Sequence, residues 1–351
     1  MRGSIRTVVL FVVIVLIVAA VFLVPLLRSP CHGFAGPGVT AADLPPGPPK
    51  PGNLRIATWN IRNFPGESRP QYPDLGFLRK TNPCDLEAVL RGLRTEVLGV
   101  EEIRKPGALR KLLREVRPSQ RFREVFTRSG GQWGQHVGIA WDQRHLRLVE
   151  GPVEVRTVAL SDKLRPALAV YLRSTRDHGV DFSVVQVHLR AGPRGYEQRL
   201  EQYRRLARWL PSWIARMGDT DVVVQGDFNT TGPRGGTLAD ELAAADRIFA
   251  KAGFRRLANA SGCSEYWEGP GPRDGVQQPS LLDQVYVSGF EELDQAVKLK
   301  AWLHCARYGC RPFVSRPGHE DGTFWDVSDH CPLTYEVRDV DLDEVSIPCA
   351  R

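Results

Sequence analysis

The sequence has little excess charge of either sign. Among its 351 residues, 47 Lys and Arg stand against 40 Asp and Glu, which leaves a net charge of +7. Four basic residues and one acidic residue precede Asn53, so +3 of the +7 belongs to that segment and only +4 to the remainder. This weak basic balance is compatible with a polyanionic partner, but charge alone does not predict strong nucleic-acid binding.

The sequence also lacks internal repeats and contains only one long hydrophobic run. Its 42% hydrophobic and 25% charged residues are the proportions of a folded globular protein. Wholesale disorder, a collagen-like structure and a transporter with several membrane spans are therefore excluded. The length allows one large domain or two ordinary ones, either of which can bury a core.

The one long hydrophobic run covers residues 8–24. At about 1.5 Å per residue, this run and the two leucines beyond it reach the roughly 30 Å of a bilayer core. A cleaved signal peptide has a shorter apolar core followed by a small-residue cleavage site, and the run has neither feature. We therefore predict a transmembrane signal anchor over residues 7–27, with a secreted protein as the alternative if this segment is cleaved.

The anchor predicts how the rest of the chain is arranged. Arg2 and Arg6 lie on its amino side, so residues 1–6 are expected in the cytoplasm and everything after the anchor on the extracytoplasmic side. Repeated prolines break any helix over residues 28–52, which predicts a Pro/Gly-rich linker. No further boundary follows, so residues 53–351 are expected to form one domain.

The cysteine content agrees with export. The chain has seven cysteines, which suits disulfide formation in an oxidising compartment. Cys305 and Cys310 are close enough in sequence to close a small loop. Further pairs are available from Cys84, Cys263, Cys331 and Cys349. His304 beside Cys305 is a weak indication of zinc, because no second ligand pair with zinc-finger spacing follows.

From Asn53 onward, short β-branched runs alternate with longer amphipathic stretches. The predicted strands cover residues 54–59, 97–100, 136–141, 167–172, 182–187, 222–225, 282–287 and 333–337. Apolar residues recur at helical spacing within 86–93 and 200–213. This pattern predicts a mixed α and β layered domain.

Polar side chains of catalytic type lie at the ends of the predicted strands. They are Asn60, Glu101, Glu102, His188, Asp227, Asn229, Asp283, Asp329 and His330. Each of them taken alone has an ordinary explanation as a turn, surface or structural residue. Their recurrence at strand ends predicts that carboxylate, imidazole and amide groups meet at one rim of the domain.

These residues belong to six short motifs that follow one another along residues 54–336. The motifs are Trp59-Asn60-Ile61, Val100-Glu101-Glu102-Ile103-Arg104, Val187-His188-Leu189, Gly226-Asp227-Phe228-Asn229, Leu282-Asp283-Gln284-Val285 and Ser328-Asp329-His330-Cys331-Pro332-Leu333. In this order, the set resembles the motifs of the deoxyribonuclease-I-like endonuclease/exonuclease/phosphatase superfamily.

The resemblance implies an α/β fold, a four-layered α/β sandwich of two packed β-sheets flanked by helices, here preceded by one N-terminal transmembrane helix. It also implies a metal-dependent phosphoric ester hydrolase. The metal ligands that it implies are Glu102, Asn60 and Asp329. The catalytic residues that it implies are His330, which activates water, Asp283, which orients His330, Asp227 and Asn229, which orient nucleophile and phosphate, and the second histidine, His188.

Elementary chemistry supports this set. Attack on a phosphodiester places negative charge on its oxygens, so a hard cation is needed; Mg²⁺ is the expected cofactor, with Mn²⁺ or Ca²⁺ as alternatives. A histidine such as His330 can take a proton from water if a carboxylate such as Asp283 fixes its tautomer. Neutral donors such as Asn229 bind phosphate without adding charge repulsion.

The sequence departs from the family at one point. In the deoxyribonuclease branch, a glutamate before the strand at 136–141 pairs with the second histidine, and here Gln135 and His136 occupy that place. Phosphate binding is therefore the safer expectation for His188. Successive strand side chains point to opposite faces, so only one of Glu101 and Glu102 is expected to face the site, and the family favours Glu102.

The substrate is the more open question. Arg104 and Arg190 follow motif residues and are expected to contact a nucleic-acid backbone, although they also fit a solvated basic rim. The favoured interpretation is an exported, membrane-anchored nuclease. The alternatives are a sphingomyelinase-like phospholipid phosphodiesterase, an inositol- or sugar-phosphate phosphatase on the same fold, and a non-catalytic binding module. Nucleic acid and the membrane are the expected partners, and no protein partner is inferred.

Overall fold

The computed structural model describes residues 31, 38–66, 80–116, 121–269, 274–315 and 321–343. Its strands are β1 (Asn53–Asn60), β2 (Val97–Ile103), β3 (Phe122–Phe126), β4 (His136–Asp142), β5 (Leu146–Val155), β6 (Ala167–Ser174), β7 (Asp181–His188), β8 (Val222–Asp227), β9 (Arg255–Arg256), β10 (Glu265–Trp267), β11 (Val276–Ser280), β12 (Asp283–Ser288), β13 (Lys300–Ala301), β14 (Phe313–Val314) and β15 (Leu333–Arg338). Its helices are α1 (Pro83–Leu93), α2 (Pro106–Val116), α3 (Tyr196–Met217), α4 (Leu238–Ala250), α5 (His304–Tyr308) and α6 (Gly322–Asp326).

The strands form two large sheets and one small one. The first large sheet has the order β13-β15-β1-β2-β4-β3, and the second has the order β5-β6-β7-β8-β12-β9. The first sheet contains the parallel pair β1 and β2, and the second contains the parallel pair β7 and β8. Within each pair, the carboxyl ends of the two strands lie at the same edge of the sheet. The strands β10, β11 and β14 make the small sheet.

Alternation along the strands divides the buried residues among three cores. Ile56 and Val184 belong to the core between the two large sheets. The neighbouring residues Ala57 and Val185 point to the outer faces, where they pack beneath α1 and α2 on one side and α3 and α4 on the other. Helices, two sheets and helices thus form four layers, which confirms the predicted α/β sandwich.

Helix boundaries follow from local chemistry. Asn82 caps the amino end of α1, because its side chain accepts hydrogen bonds from the amides of Cys84 and Asp85, and Pro83 is the first helical residue. The long helix α3 buries residues at helical spacing and ends at Gly218, whose φ of 70° is readily adopted by glycine. A side-chain cap thus begins α1, and a glycine ends α3.

The segment before β1 packs on the domain from residue 38 onward. Val39 is buried, and the buried carboxylate of Asp43 pairs with Arg307 at 2.6 Å. Part of the predicted linker over 28–52 therefore contacts the domain. The predicted anchor at residues 7–27 lies outside the described residues, and no helix within the described ranges is long and apolar enough to span a membrane.

Three disulfides cross-link the described residues. They join Cys31 to Cys84, Cys263 to Cys310 and Cys305 to Cys331. The small loop expected between Cys305 and Cys310 is not closed, because each of these cysteines pairs with a more distant one. Cys349 lies outside the described residues. With Cys305 and Cys331 bonded to each other, no thiolates remain beside His304 for zinc.

Candidate active site

The predicted catalytic residues meet at one edge of the two sheets. Asn60, His188 and Asp227 end the strands β1, β7 and β8. Asp283 starts β12, which runs antiparallel to β8 and pairs Asp283 with Asp227. His330 precedes β15, which runs antiparallel to β1. The opposite strand directions therefore bring residues from strand ends and strand beginnings to the same rim.

His330 and Asp283 form a buried pair. The Nδ1 atom of His330 lies 2.9 Å from Oδ2 of Asp283. The indole of Trp59 donates to the carbonyl of His330, and the amide of His330 donates to Ser328, which fixes the backbone. Burial lowers the pKa of His330, but Asp283 and Asp227 outweigh burial and raise the pKa well above its ordinary value. Asp283 thus makes the ring more basic and stabilises the imidazolium that forms once the ring has taken a proton.

Asp227 lies between the two imidazoles. Its Oδ2 atom accepts a hydrogen bond from Asn60 at 3.0 Å and lies 3.9 Å from Nε2 of His330 and 3.5 Å from Nε2 of His188. Its Oδ1 atom accepts the amide of Asn229. Burial raises the pKa of Asp227 to about 7, with the carboxylates of nearby residues adding to the effect. Asp227 is the central acceptor of the site.

Glu102 reaches the site through an irregularity in β2. The pairing of β2 with β4 shifts between Val100 and Ile103, and Glu102 has a φ of 60°, a conformation that is unfavourable for a residue with a side chain. Its Oε2 atom accepts the amide of Asn63, and its Oε1 atom lies 3.7 Å from Nε2 of His188. Burial, and then the charge of Asp329, raise the pKa of Glu102.

The donor set around Glu102 fits a hard divalent cation. Glu102 and Asp329 are carboxylates that repel each other, and an amide side chain, Asn60, lies beside them. A cation bound here would relieve the repulsion, and oxygen ligands of this kind are those that Mg²⁺ takes. The three residues predicted as metal ligands therefore lie together.

Glu101 occupies a different position from Glu102. It is fully buried beneath the rim, where it accepts hydrogen bonds from the side chains of Gln186 and Thr58 and from the amide of Asp227. Burial, and then the charge of Asp283, raise its pKa well above the ordinary value. The expectation that the two glutamates point in different directions matches this arrangement.

Arg165 is a residue of the site that the sequence motifs did not indicate. It is buried, and its Nη2 atom lies 2.6 Å from Nε2 of His188. Because an arginine only donates, Nε2 of His188 accepts and the ring proton is on Nδ1, which has no partner among the described residues. Burial and the charge of Arg165 lower the pKa of His188 well below its ordinary value. His188 is therefore a neutral imidazole.

A signal for Arg165 exists in the strand register. The strands β6 and β7 are antiparallel, with Leu168 opposite Gln186, so the residues just before β6 lie beside the end of β7. Glu265 in β10 is a second residue of the site that the sequence did not predict. It is buried and forms an isolated antiparallel β-bridge with His330. Burial raises the pKa of Glu265 to about 8. Its short strand carries no comparable signal.

The other predicted contacts lie around this centre. Gln135 donates to Asn63 at 3.0 Å and does not replace the missing glutamate partner of His188. Arg190 follows β7, donates from Nε to Gln198, and is close enough to lower the pKa of Arg165, for which burial is the larger cause. Arg104 follows β2, with its amide bonded to Phe64. Both arginines thus flank the site.

The chain has the fold of the endonuclease/exonuclease/phosphatase superfamily. Its structure is similar to truncated TDP2 from Caenorhabditis elegans, with a TM-score of 0.54 at 14% identity over 82% of this chain and 99% of that one. It is also similar to the catalytic domain of human Nocturnin, with a TM-score of 0.50 at 17% identity over 81% and 93%.

A third similar structure is an endonuclease/exonuclease/phosphatase from Bacteroides vulgatus, with a TM-score of 0.51 at 14% identity over 82% of this chain and 99% of that one. No protein-family profile and no curated protein sequence matches the chain. Identities this low establish the shared fold, and the activity is argued from the site itself.

Proposed function

We propose that the protein is a divalent-metal-dependent phosphodiesterase that hydrolyses nucleic-acid phosphodiester bonds. The observation that carries this proposal is the buried His330–Asp283 pair, whose imidazole faces Asp227. The carboxylate of Glu102, a residue with a strained backbone, lies on the other side of the rim. One side of the rim can accept a proton and the other can hold a cation. A phosphodiester placed between them meets both requirements of hydrolysis.

In this proposal, His330 takes the proton of the attacking water. Asp283 holds Nδ1–H of the ring, so Nε2 is the free nitrogen, and it faces Asp227. The proton moves from water to Nε2, the water oxygen attacks phosphorus as the bond to the leaving oxygen breaks, and the leaving alkoxide takes its proton from solvent. Asp227 accepts hydrogen bonds from neighbouring donors and orients the water.

The developing negative charge is met by fixed donors. Arg165 is held beside His188, and its positive charge acts on the neighbouring Glu102 and Asp227, so it is placed to offset negative charge that develops on a phosphate at the rim. A divalent cation held by Glu102, Asn60 and Asp329 would supply further positive charge to the same oxygens. We assign His188 to positioning Arg165, because its Nε2 accepts from that guanidinium.

Arginines beside the centre favour a nucleic acid as the substrate. Arg190 follows β7 and Arg104 follows β2, so both lie at the rim, where they can contact the backbone phosphates of a bound strand. Strand β10 carries two neighbouring aromatic residues, of which Tyr266 is buried against Phe313, whereas Trp267 is 46% exposed. An exposed indole can stack on a base or enter a lipid headgroup layer, so a phospholipid phosphodiesterase is the second candidate.

We also propose that the catalytic domain is extracytoplasmic and anchored by residues 7–27. The apolar run supports the anchor, and the three disulfides support an oxidising compartment.

The test is hydrolysis by the full-length protein of plasmid DNA, RNA, sphingomyelin and inositol phosphates, each with Mg²⁺, with Mn²⁺ and with EDTA. EDTA-sensitive cleavage of nucleic acid that is lost in Glu102→Gln and kept in the control Glu115→Gln is expected. Turnover of lipid or inositol phosphate alone would overturn the substrate assignment. Activity of Glu102→Gln equal to wild type would overturn the site.

A further inference from the structure

A second group of carboxylates lies at the opposite end of the same sheets. Asp219 and Asp221 precede β8, Glu292 follows β12, and Asp341 and Asp343 follow β15. The catalytic aspartate of β8 is at the other end of that strand, six residues further on, which is roughly 20 Å at the rise of a β-strand. This far acidic cluster is therefore separate from the active site.

The carboxylate oxygens of the far acidic cluster converge. One oxygen from each of Asp219, Asp221 and Asp343 lies within 4.8 Å of the others, and the same holds for Glu292, Asp341 and Asp343. Asp343 belongs to both sets, so the five carboxylates surround one region. They come from three separate loops of the chain.

Some of these oxygens are buried without a partner. Asp221 and Glu292 are each 1% exposed, and Oδ1 of Asp221 and Oε2 of Glu292 have no hydrogen-bond partner in the described part of the chain. The other oxygen of Glu292 accepts the amide of Leu342. In Asp219, one oxygen accepts the amide of Asp221, and the Tyr171 hydroxyl also interacts with this side chain. Asp221 and Glu292 thus each have one buried oxygen that no donor in the described part of the chain satisfies.

Two arginines at this end of the sheets pair with carboxylates outside the cluster. Arg173 pairs with Asp181 and Arg176 with Asp339, at 2.5 and 3.7 Å. Burial and the neighbouring carboxylates raise the pKa of Asp221 to about 10, and burial raises that of Asp219 to about 7. Without a cation, burial and mutual repulsion therefore favour a proton on Asp221, and a bound cation would take the place of that proton.

We propose that the far acidic cluster binds a calcium ion. Ca²⁺ takes six to eight oxygen ligands in flexible geometry and is held by carboxylates from separate loops, whereas Mg²⁺ keeps most of its waters and takes few carboxylates. The ion would join the segment after β15, in the first sheet, to the loops that flank β8 and β12 in the second. Its role is to fasten the two sheets together at the end that carries no catalytic residues.

The test uses full-length Glu102→Gln protein, so that the proposed catalytic cation site is disabled. After EDTA treatment and dialysis, thermal unfolding is followed as CaCl₂ or MgCl₂ is added, and bound calcium is counted by titration calorimetry. We expect one calcium ion per chain and a rise of about 5 °C at calcium a hundredfold above its dissociation constant. Magnesium at that concentration is expected to give less than half of this rise.

Variants locate the ion. Asp343→Asn and Asp221→Asn, each in the Glu102→Gln background, should abolish the calcium-dependent rise, and the control Asp294→Asn, an exposed carboxylate in the loop of Glu292, should keep it. Asp343 is only half-buried, so its variant keeps the test informative if the Asp221 variant does not fold. A melting temperature that is insensitive to calcium, as expected if the carboxylates share protons instead, would overturn the proposal, and so would a calcium shift that survives in Asp343→Asn or is matched by magnesium.

Discussion

Buried carboxylates lie at both ends of the central strands, but the groups that pair with them differ between the two ends. At the catalytic rim, carboxylates alternate with donors, as His330 pairs with Asp283 and Arg165 lies beside His188. At the far acidic cluster, buried oxygens of Asp221 and Glu292 have no donor among the described residues. Carboxylates paired with donors keep a fixed geometry, which suits catalysis, whereas clustered carboxylates need protons or a cation to offset their repulsion.

The largest effect is expected from removing charge at the catalytic rim. Glu102→Gln should lower metal-dependent turnover by about 10³-fold or more, because the oxygen that holds the cation loses its charge. The fold should remain, since the glutamine oxygen can still accept the amide of Asn63. Initial rates and melting curves of the variant and wild type measure both effects. A large fall in melting temperature would assign Glu102 a structural role.

A smaller loss is expected when the proton acceptor is removed. His330→Ala should lower turnover by about 10²- to 10³-fold, because no group then takes the proton from water. Added imidazole should restore part of the rate, since it can enter the space left by the ring. Rates of His330→Ala close to wild type, or no rescue at any imidazole concentration in a folded variant, would contradict the proposed role.

Arg165→Lys tests whether the guanidinium acts on substrate. A lysine keeps the positive charge but cannot reach His188 and a phosphate oxygen together, so we expect about 10- to 100-fold lower kcat/KM. The matched change Arg194→Lys, at an exposed position, should leave kcat/KM within about twofold. Equal effects of both substitutions would show that Arg165 contributes only general positive charge.

The disulfide next to the catalytic histidine is expected to act on stability. Replacing both Cys305 and Cys331 with alanine opens a cross-link that spans 26 residues of sequence, which should lower the free energy of unfolding by about 3 kcal/mol. Urea unfolding of the oxidised wild type and the double variant measures the difference. Unchanged unfolding would mean that the cross-link does not constrain the chain in solution.

The smallest effect compares one substitution at the two ends. In EDTA, Asp219→Asn at the far acidic cluster should raise the melting temperature by about 2 °C, because it removes one of several like charges. Asp283→Asn at the catalytic rim should lower it, because His330 loses its carboxylate partner. Shifts of the same sign would show that the two clusters are balanced alike.

Much of the fold could be predicted because its central strands are continuous apolar runs. Strand β5 was missed, since its pairing with β6 shifts twice around Gly151 and Pro152 and the alternation is lost. Helix α2 was also missed, although its four buried positions recur at helical spacing with charged residues on the other face, which is a signal that the sequence carries. Strand β5, by contrast, is specified by contacts with its sheet more than by local pattern.

The candidate site was predictable where its residues end strands. Arg165 was not predicted, because its place depends on the register of two antiparallel strands. Disulfide pairing was also beyond the sequence, since Cys305 is close to Cys310 along the chain but bonded to Cys331. Proximity in sequence and proximity in space diverge most where loops carry the residues.

The disulfide between Cys31 and Cys84 limits the distance between the catalytic domain and the proposed anchor. With residues 7–27 in the bilayer as proposed, the tether to Cys31 is four residues long and reaches at most about 14 Å, far less than a free segment of 25 residues. Such an enzyme would act in a thin layer beside the membrane. It would then meet only those polymers that come within this layer, and polymers elsewhere in the medium would be out of its reach.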